Sequence, residues 1–118
     1  MTRVNIDYPV ARLTTKHLIA EHREIKRIPN QVKSGRVKVK HIDRFCLGKG
    51  HVHFFTDRLG YLLKRYKEVY KECLSRGFNV QDYSSAWSGV PDSLMNDYQS
   101  TPEDRKLIED RIKEKLVI

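Results

Sequence analysis

No run of about 18 apolar residues occurs anywhere in the 118-residue chain, so it carries no candidate membrane-spanning helix. The amino terminus lacks the apolar core of a secretory signal, which points to the cytosol, or to the host-cell cytoplasm for a viral protein. Cysteine is scarce: Cys46 and Cys73 are the only two, without CxxC spacing and without a histidine cluster around them. Free, partly buried thiols in a reducing compartment are expected, and a zinc site is not. Acidic residues are also in deficit, with 15 Asp and Glu against 23 Lys and Arg and a formal net charge of +8. Such an excess favours polyanions, nucleic acid ahead of an acidic membrane surface. The length fits a single domain, residues 1–118, with a modest core, and a monomer suits that size. Neither an internal repeat nor a low-complexity segment is present.

What the chain does contain is mostly helical. Residues 4–13 read as irregular or extended, with Pro9 limiting regular structure. Thr14 or Thr15 can cap a first helix over roughly residues 14–28, ended by Pro29. The basic segment from Lys33 to Arg44 follows. There Val37 and Val39 alternate with Lys38 and Lys40, which permits a short extended piece able to track a phosphate backbone or simply to be solvated. A second helix begins at a cap on Thr56 or Asp57 and ends at Gly77. Its apolar face runs from Leu59 through Leu62, Tyr66 and Val69 to Cys73, with Arg58, Lys64, Arg65, Lys67 and Lys71 away from the centre. Residues 78–100 read as a loop over which Trp87 serves as a packing anchor. The last helix opens at Thr101-Pro102-Glu103-Asp104, with Ile108, Ile112 and Leu116 facing inward. The expected fold class is mostly α: a compact single domain of three main helices with long irregular connections.

Two places carry chemistry. With about 3.6 residues per helical turn, His17, Glu21, Glu24 and Ile28 share one face, and Lys16, Arg23 and Arg27 form a basic stripe beside it. The plain alternative is a solvated face held by weak ion pairs. A carboxylate bordered by arginines stays ionised in front of a phosphate-rich partner, because neighbouring cations favour its charged form. The second place is the start of the chain. A small second residue normally allows the initiator methionine to be removed, and the freed Thr2 α-amine has an unperturbed pKa of about 8. A useful fraction of such an amine is nucleophilic near neutral pH. Glu24 acting on DNA, with the amino terminus as nucleophile, is the reading these residues suggest.

The Leu47-Gly48-Lys49-Gly50-His51-Val52-His53-Phe54-Phe55 cluster needs separate treatment. Its glycines suggest a tight turn or a close backbone approach, and the spacing of a phosphate loop is missing. His51 and His53 have no third ligand at usual metal spacing, so no metal site and no cofactor are expected.

Together these pieces resemble the pyrimidine-dimer DNA glycosylase/AP lyases of the phage endonuclease V type. The resemblance begins at Met1-Thr2-Arg3-Val4-Asn5 and continues through His17-Leu18-Ile19-Ala20-Glu21-His22-Arg23-Glu24. It is densest from Leu47 to Leu59, where the family shows L-G-x-G-H-V-x-F-F-x-D-x-L. Glu72-Cys73-Leu74-Ser75-Arg76-Gly77-Phe78-Asn79 and Arg111-Ile112-Lys113-Glu114-Lys115 match further stretches in the same order. The resemblance implies a three-helix fold whose N-terminal segment threads against the first helix. It implies that the Thr2 amine attacks C1′ of the damaged nucleotide and that Glu24 stabilises the cationic sugar and assists proton removal at C2′, so that β-elimination breaks the strand. It further implies that Arg3, Arg23, Arg27, Arg111 and Lys115 hold phosphates of double-stranded DNA, with His17 near the lesion.

The chain departs from the family pattern in places. One extra residue separates Arg3 from His17, Lys16 replaces a neutral amide, and Lys26 stands where the family often has proline. The sequence ends at Ile118 without the Trp-Tyr-rich tail of dimer-specific enzymes, which leaves open a relative that excises a different modified base. A non-catalytic DNA-binding module on the same fold is the alternative from another class. A metal-dependent nuclease lacks a paired-carboxylate site of convincing spacing.

Overall fold

Thr14 ends the irregular leading segment and starts the first helix. The computed structural model describes residues 2–116, with side chains described as far as Glu114. Helix α1 spans Thr15–Ile25, and the Thr14 hydroxyl accepts the His17 backbone N–H at 3.2 Å, satisfying one of the unpaired donors of the first turn. The helix does not run on to Pro29. It breaks at Lys26 and resumes as α2, Arg27–Lys33, with Pro29 buried inside it. Proline at that point has no N–H to offer the Ile25 carbonyl, so a continuous helix would fail there. Restarting the helix one turn earlier puts Pro29 in a first turn, where no N–H is needed.

Three further α-helices follow: α3 at His51–Phe55, α4 at Leu59–Ser75 and α5 at Pro102–Leu116. The kinked α1–α2 pair, α4 and α5 are the three main helices of a mostly α fold. The short α3 adds regular structure where the sequence suggested only a turn. Helix α4 ends as expected. Gly77 sits at φ 81°, its N–H donates to Leu74 O, and the Phe78 N–H donates to Cys73 O, both at 3.0 Å. That is the paired closure a left-handed glycine permits. Its start differs from expectation, because the residue preceding the helix is Arg58, without a side-chain cap. Thr56 Oγ1 instead donates to His53 O and accepts from the Lys40 N–H, and Asp57 pairs with His41. Helix α5 opens on a reciprocal cap in which Thr101 Oγ1 accepts from the Asp104 N–H while the Asp104 carboxylate accepts from the Thr101 N–H.

The core forms where α1 packs on α4, with Leu18, Ile25, Leu62, Val69 and Ile108 fully buried. Each such side chain contributes about 1.5–3 kcal/mol of transfer free energy. Trp87 lies under its loop as an anchor, its indole N–H donated to Leu59 O at 3.0 Å. Two arginines expected at the periphery of α4 are buried. Arg58 stacks over Phe54 and donates to the Phe54 and Ile42 carbonyls, and Arg65 turns into the core toward Glu21. Hydrophobic periodicity could not show this, because the acceptors come from other segments. No strand forms among the described residues around Val37 and Val39; an isolated antiparallel bridge links Arg58 and Met95. Cys46 and Cys73 are free.

Candidate active site

The first residues form a strap laid between α1 and α3. Thr2, Val4, Asn5 and Ile6 are buried along it. In an extended segment successive N–H groups point to opposite sides. Here the Arg3 N–H donates to Glu24 Oε1 at 3.1 Å and the Asn5 N–H to Glu21 Oε2 at 3.2 Å, both on α1. Between them the Val4 N–H points the other way and donates to His51 Nε2 on α3 at 3.0 Å. The two acids are one turn apart on α1, so a helix face and an extended segment meet in matching steps. Asp7, at φ 52°, ends the strap, and its N–H donates to the Tyr61 hydroxyl.

The acids differ in their surroundings. The Glu21 side chain is fully buried and grips Arg65 with both oxygens, at 2.8 Å to Nε and 3.1 Å to a terminal nitrogen. It also accepts from Asn5 Nδ2 at 2.8 Å. Glu24 stays partly open, with Oε2 3.7 Å from the exposed Arg23 guanidinium. Asn5 Oδ1 accepts from Arg111, which ties α5 to the strap. Burial and the neighbouring Arg3 both weaken the hold of Arg111 on its charge. His17, bonded to Thr14 Oγ1, titrates below its ordinary value, through burial first and then the charges of Lys16, Arg111 and Arg3. His51 is held at about 4, chiefly by burial. Its Nδ1 faces the Cys46 carbonyl at 2.9 Å, so Nδ1 carries the proton and Nε2 is left to accept.

Among the residues singled out from sequence, Thr2, Arg3, Glu24 and Arg111 come together at the strap, and His17 lies within their field. Arg23 borders Glu24 from solvent. Arg27 begins α2 beyond the break at Lys26, half-buried, and none of the hydrogen bonds described here joins it to the strap. The Lys115 side chain lies outside the described residues, as does Met1. Asn5, Glu21, His51 and Arg65 hold the site but were not assigned to it from sequence. The i,i+3 spacing of Glu21 and Glu24 was a signal for one of them; nothing local pointed to Arg65.

A cationic rim, a tethered N-terminal strap and one partly open acid suit a polyanionic substrate. The family model described as pyrimidine dimer DNA glycosylase matches residues 1–84, which include the strap and α1 to α4. The chain belongs to the pyrimidine dimer DNA glycosylase family. Membership implies DNA glycosylase activity on pyrimidine dimers in general, DNA as the substrate, and a place in the repair of damaged DNA. Within this glycosylase the matched region contains Thr2, Glu21, Glu24, His51 and Arg65, while Arg111 and the rest of α5 lie beyond it. Among the described residues no helix is long and apolar enough to cross a membrane, and no group of three or more metal-binding side chains is found.

Proposed function

We propose that this glycosylase is bifunctional, excising a pyrimidine dimer and cutting the strand through one covalent intermediate on Thr2. Removal of Met1 frees the Thr2 α-amine, and its nitrogen lone pair attacks C1′ of the damaged nucleotide. The glycosidic bond breaks with its electrons leaving on the base. One proton then passes from the nitrogen to O4′ as the C1′–O4′ bond opens, and a protonated imine joins Thr2 to the ring-opened sugar. Glu24 stabilises positive charge that grows only in the transition state. It then takes a proton from C2′. The C2′–H electrons form a C1′=C2′ double bond as the imine electrons withdraw to nitrogen. The enamine then restores the imine and forms C2′=C3′ while the C3′–O bond breaks and the phosphate departs with that electron pair. Hydrolysis of the imine returns the free amine. Arg3, Arg23, Arg27, Arg111 and Lys115 act as phosphate contacts, and His17 supports the geometry near the lesion. Extrusion of a nucleotide costs a few kcal/mol, less at a damaged pair, which supplies part of the selectivity.

The observation that carries this reading is the 3.1 Å hydrogen bond from the Arg3 N–H to Glu24 Oε1, because the Arg3 nitrogen is one residue from that of Thr2. A strap tethered there keeps the amine near a partly open carboxylate. Borohydride trapping tests it. Protein shown by mass spectrometry to begin at Thr2 should become covalently attached to a dimer-bearing duplex and to an abasic one. Base excision without any trapped adduct would refute the amine mechanism.

A further inference from the structure

The densest sequence cluster, Leu47 to Phe55, has no part in the chemistry just described, yet it delivers one side chain to the strap. Gly50 lies at φ 96°, where L side chains are strained, and a Cβ there would meet Cys46 Sγ at 3.2 Å. That turn starts α3 and aims the His51 ring at residue 4. The ring is buried, packed edge-on against Phe45 and Phe55, with Nδ1 occupied by Cys46 O and Nε2 accepting the Val4 N–H.

We propose that His51 is a positioning residue for the glycosylase reaction: by holding the Val4 N–H on the α3 side, it pins the strap where it presents the Thr2 nitrogen to Glu24. This rests on the amine mechanism proposed above. Glu21 and Glu24 hold the strap from one side only. An acceptor fixed on the far side resists movement of the strap away from α3, because the buried Val4 N–H would then be left unpaired. Being neutral near pH 7, the ring accepts without setting a third cation beside Arg3 and Arg111.

The test compares His51→Leu, which removes the acceptor, with His51→Gln, whose amide oxygen can take the place of Nε2. Single-turnover base excision, borohydride trapping and duplex affinity are measured on the protein starting at Thr2, with hydrogen exchange at the Val4 amide. Expected is a tenfold to hundredfold slower excision and trapping for His51→Leu, with duplex affinity within threefold of native. The Val4 amide should exchange faster while amides of α4 stay protected. His51→Gln should recover at least tenfold of the lost rate. Native rates in His51→Leu would overturn the proposal. Should His51→Leu fail to fold, His51→Gln decides: near-native rates support it, and slow excision despite a protected Val4 amide overturns it. Native protein that excises without forming an adduct would overturn the amine mechanism and the role given to His51 with it, whereas native rates in His51→Leu with the adduct still formed would overturn the role of His51 alone.

Discussion

Arg65 and Glu21, 44 residues apart, meet in the interior with Nε 2.8 Å from Oε2 and both side chains almost completely out of solvent. The pair also holds the strap, because Glu21 receives both the backbone and side-chain N–H groups of Asn5. Arg65 in turn donates to Tyr8 O, just beyond the strap. Removing one partner of such a buried pair costs about 3–5 kcal/mol, since it strands a charge, whereas replacing both with apolar groups is often close to neutral. Arg65→Leu should therefore lower the unfolding free energy by about that amount in urea denaturation. Glu21→Leu combined with Arg65→Leu should regain most of the stability but not the trapping rate, because Asn5 has lost its acceptor. Full activity in the double variant would detach the strap from the reaction.

Glu24 is the more open of the two acids, and its charge is what the proposed chemistry uses. Glu24→Gln keeps the size and an oxygen for the Arg3 N–H, so the strap and duplex binding should survive. Strand cleavage at a preformed abasic site should fall by about 10²-fold or more, the scale of a lost general base. Gel-resolved cleavage beside a binding titration reads both quantities. Cleavage persisting at the native rate would exclude Glu24 from proton removal.

Acidification should weaken the fold through His51. Its ring titrates at about 4 in the folded protein against an ordinary 6.5. The unfolded chain thus takes up the proton first. The stabilisation is whole above about pH 6.5 and is lost as pH falls toward about 4. His17 and His22 are lowered as well and act in the same sense, while the exposed His41, raised by its bond to Asp57, acts in the opposite one. Urea unfolding at pH 7 and pH 4.5 should show His51→Gln losing about 2–3 kcal/mol less than native protein on acidification. Equal losses would mean the buried ring is not the group responsible.

Arg23 and Arg111 should separate binding from catalysis. Arg23 is largely exposed, so Arg23→Ala should weaken binding to damaged and undamaged duplex alike and reduce the salt slope by about one. Arg111 is bonded to Asn5, so Arg111→Ala should slow single-turnover trapping more than it weakens binding. Fluorescence anisotropy over a salt series, with trapping on the same samples, distinguishes the two. Identical behaviour of both variants would mean that Arg111 only touches phosphate.

Local signals in the chain were enough for a good part of the molecule. The Thr14 cap, the Gly77 terminator and the Thr101-Pro102 start each act within a few residues, and each stands where the sequence alone set it. Helical spacing likewise put Glu21 and Glu24 on one face, and the family blocks pointed to Thr2 and Glu24 before any fold was known. Packing decided the rest, because it matches groups far apart in the chain. Two acids three residues apart look alike in sequence; one is buried against an arginine from α4 and the other faces solvent only because α1 lies across α4. Nothing near His51 in the chain tied it to the strap; α3 turned it onto the Val4 N–H. Burial and hydrogen-bond partners are set where segments distant in sequence meet, and no local pattern of residues encodes that meeting.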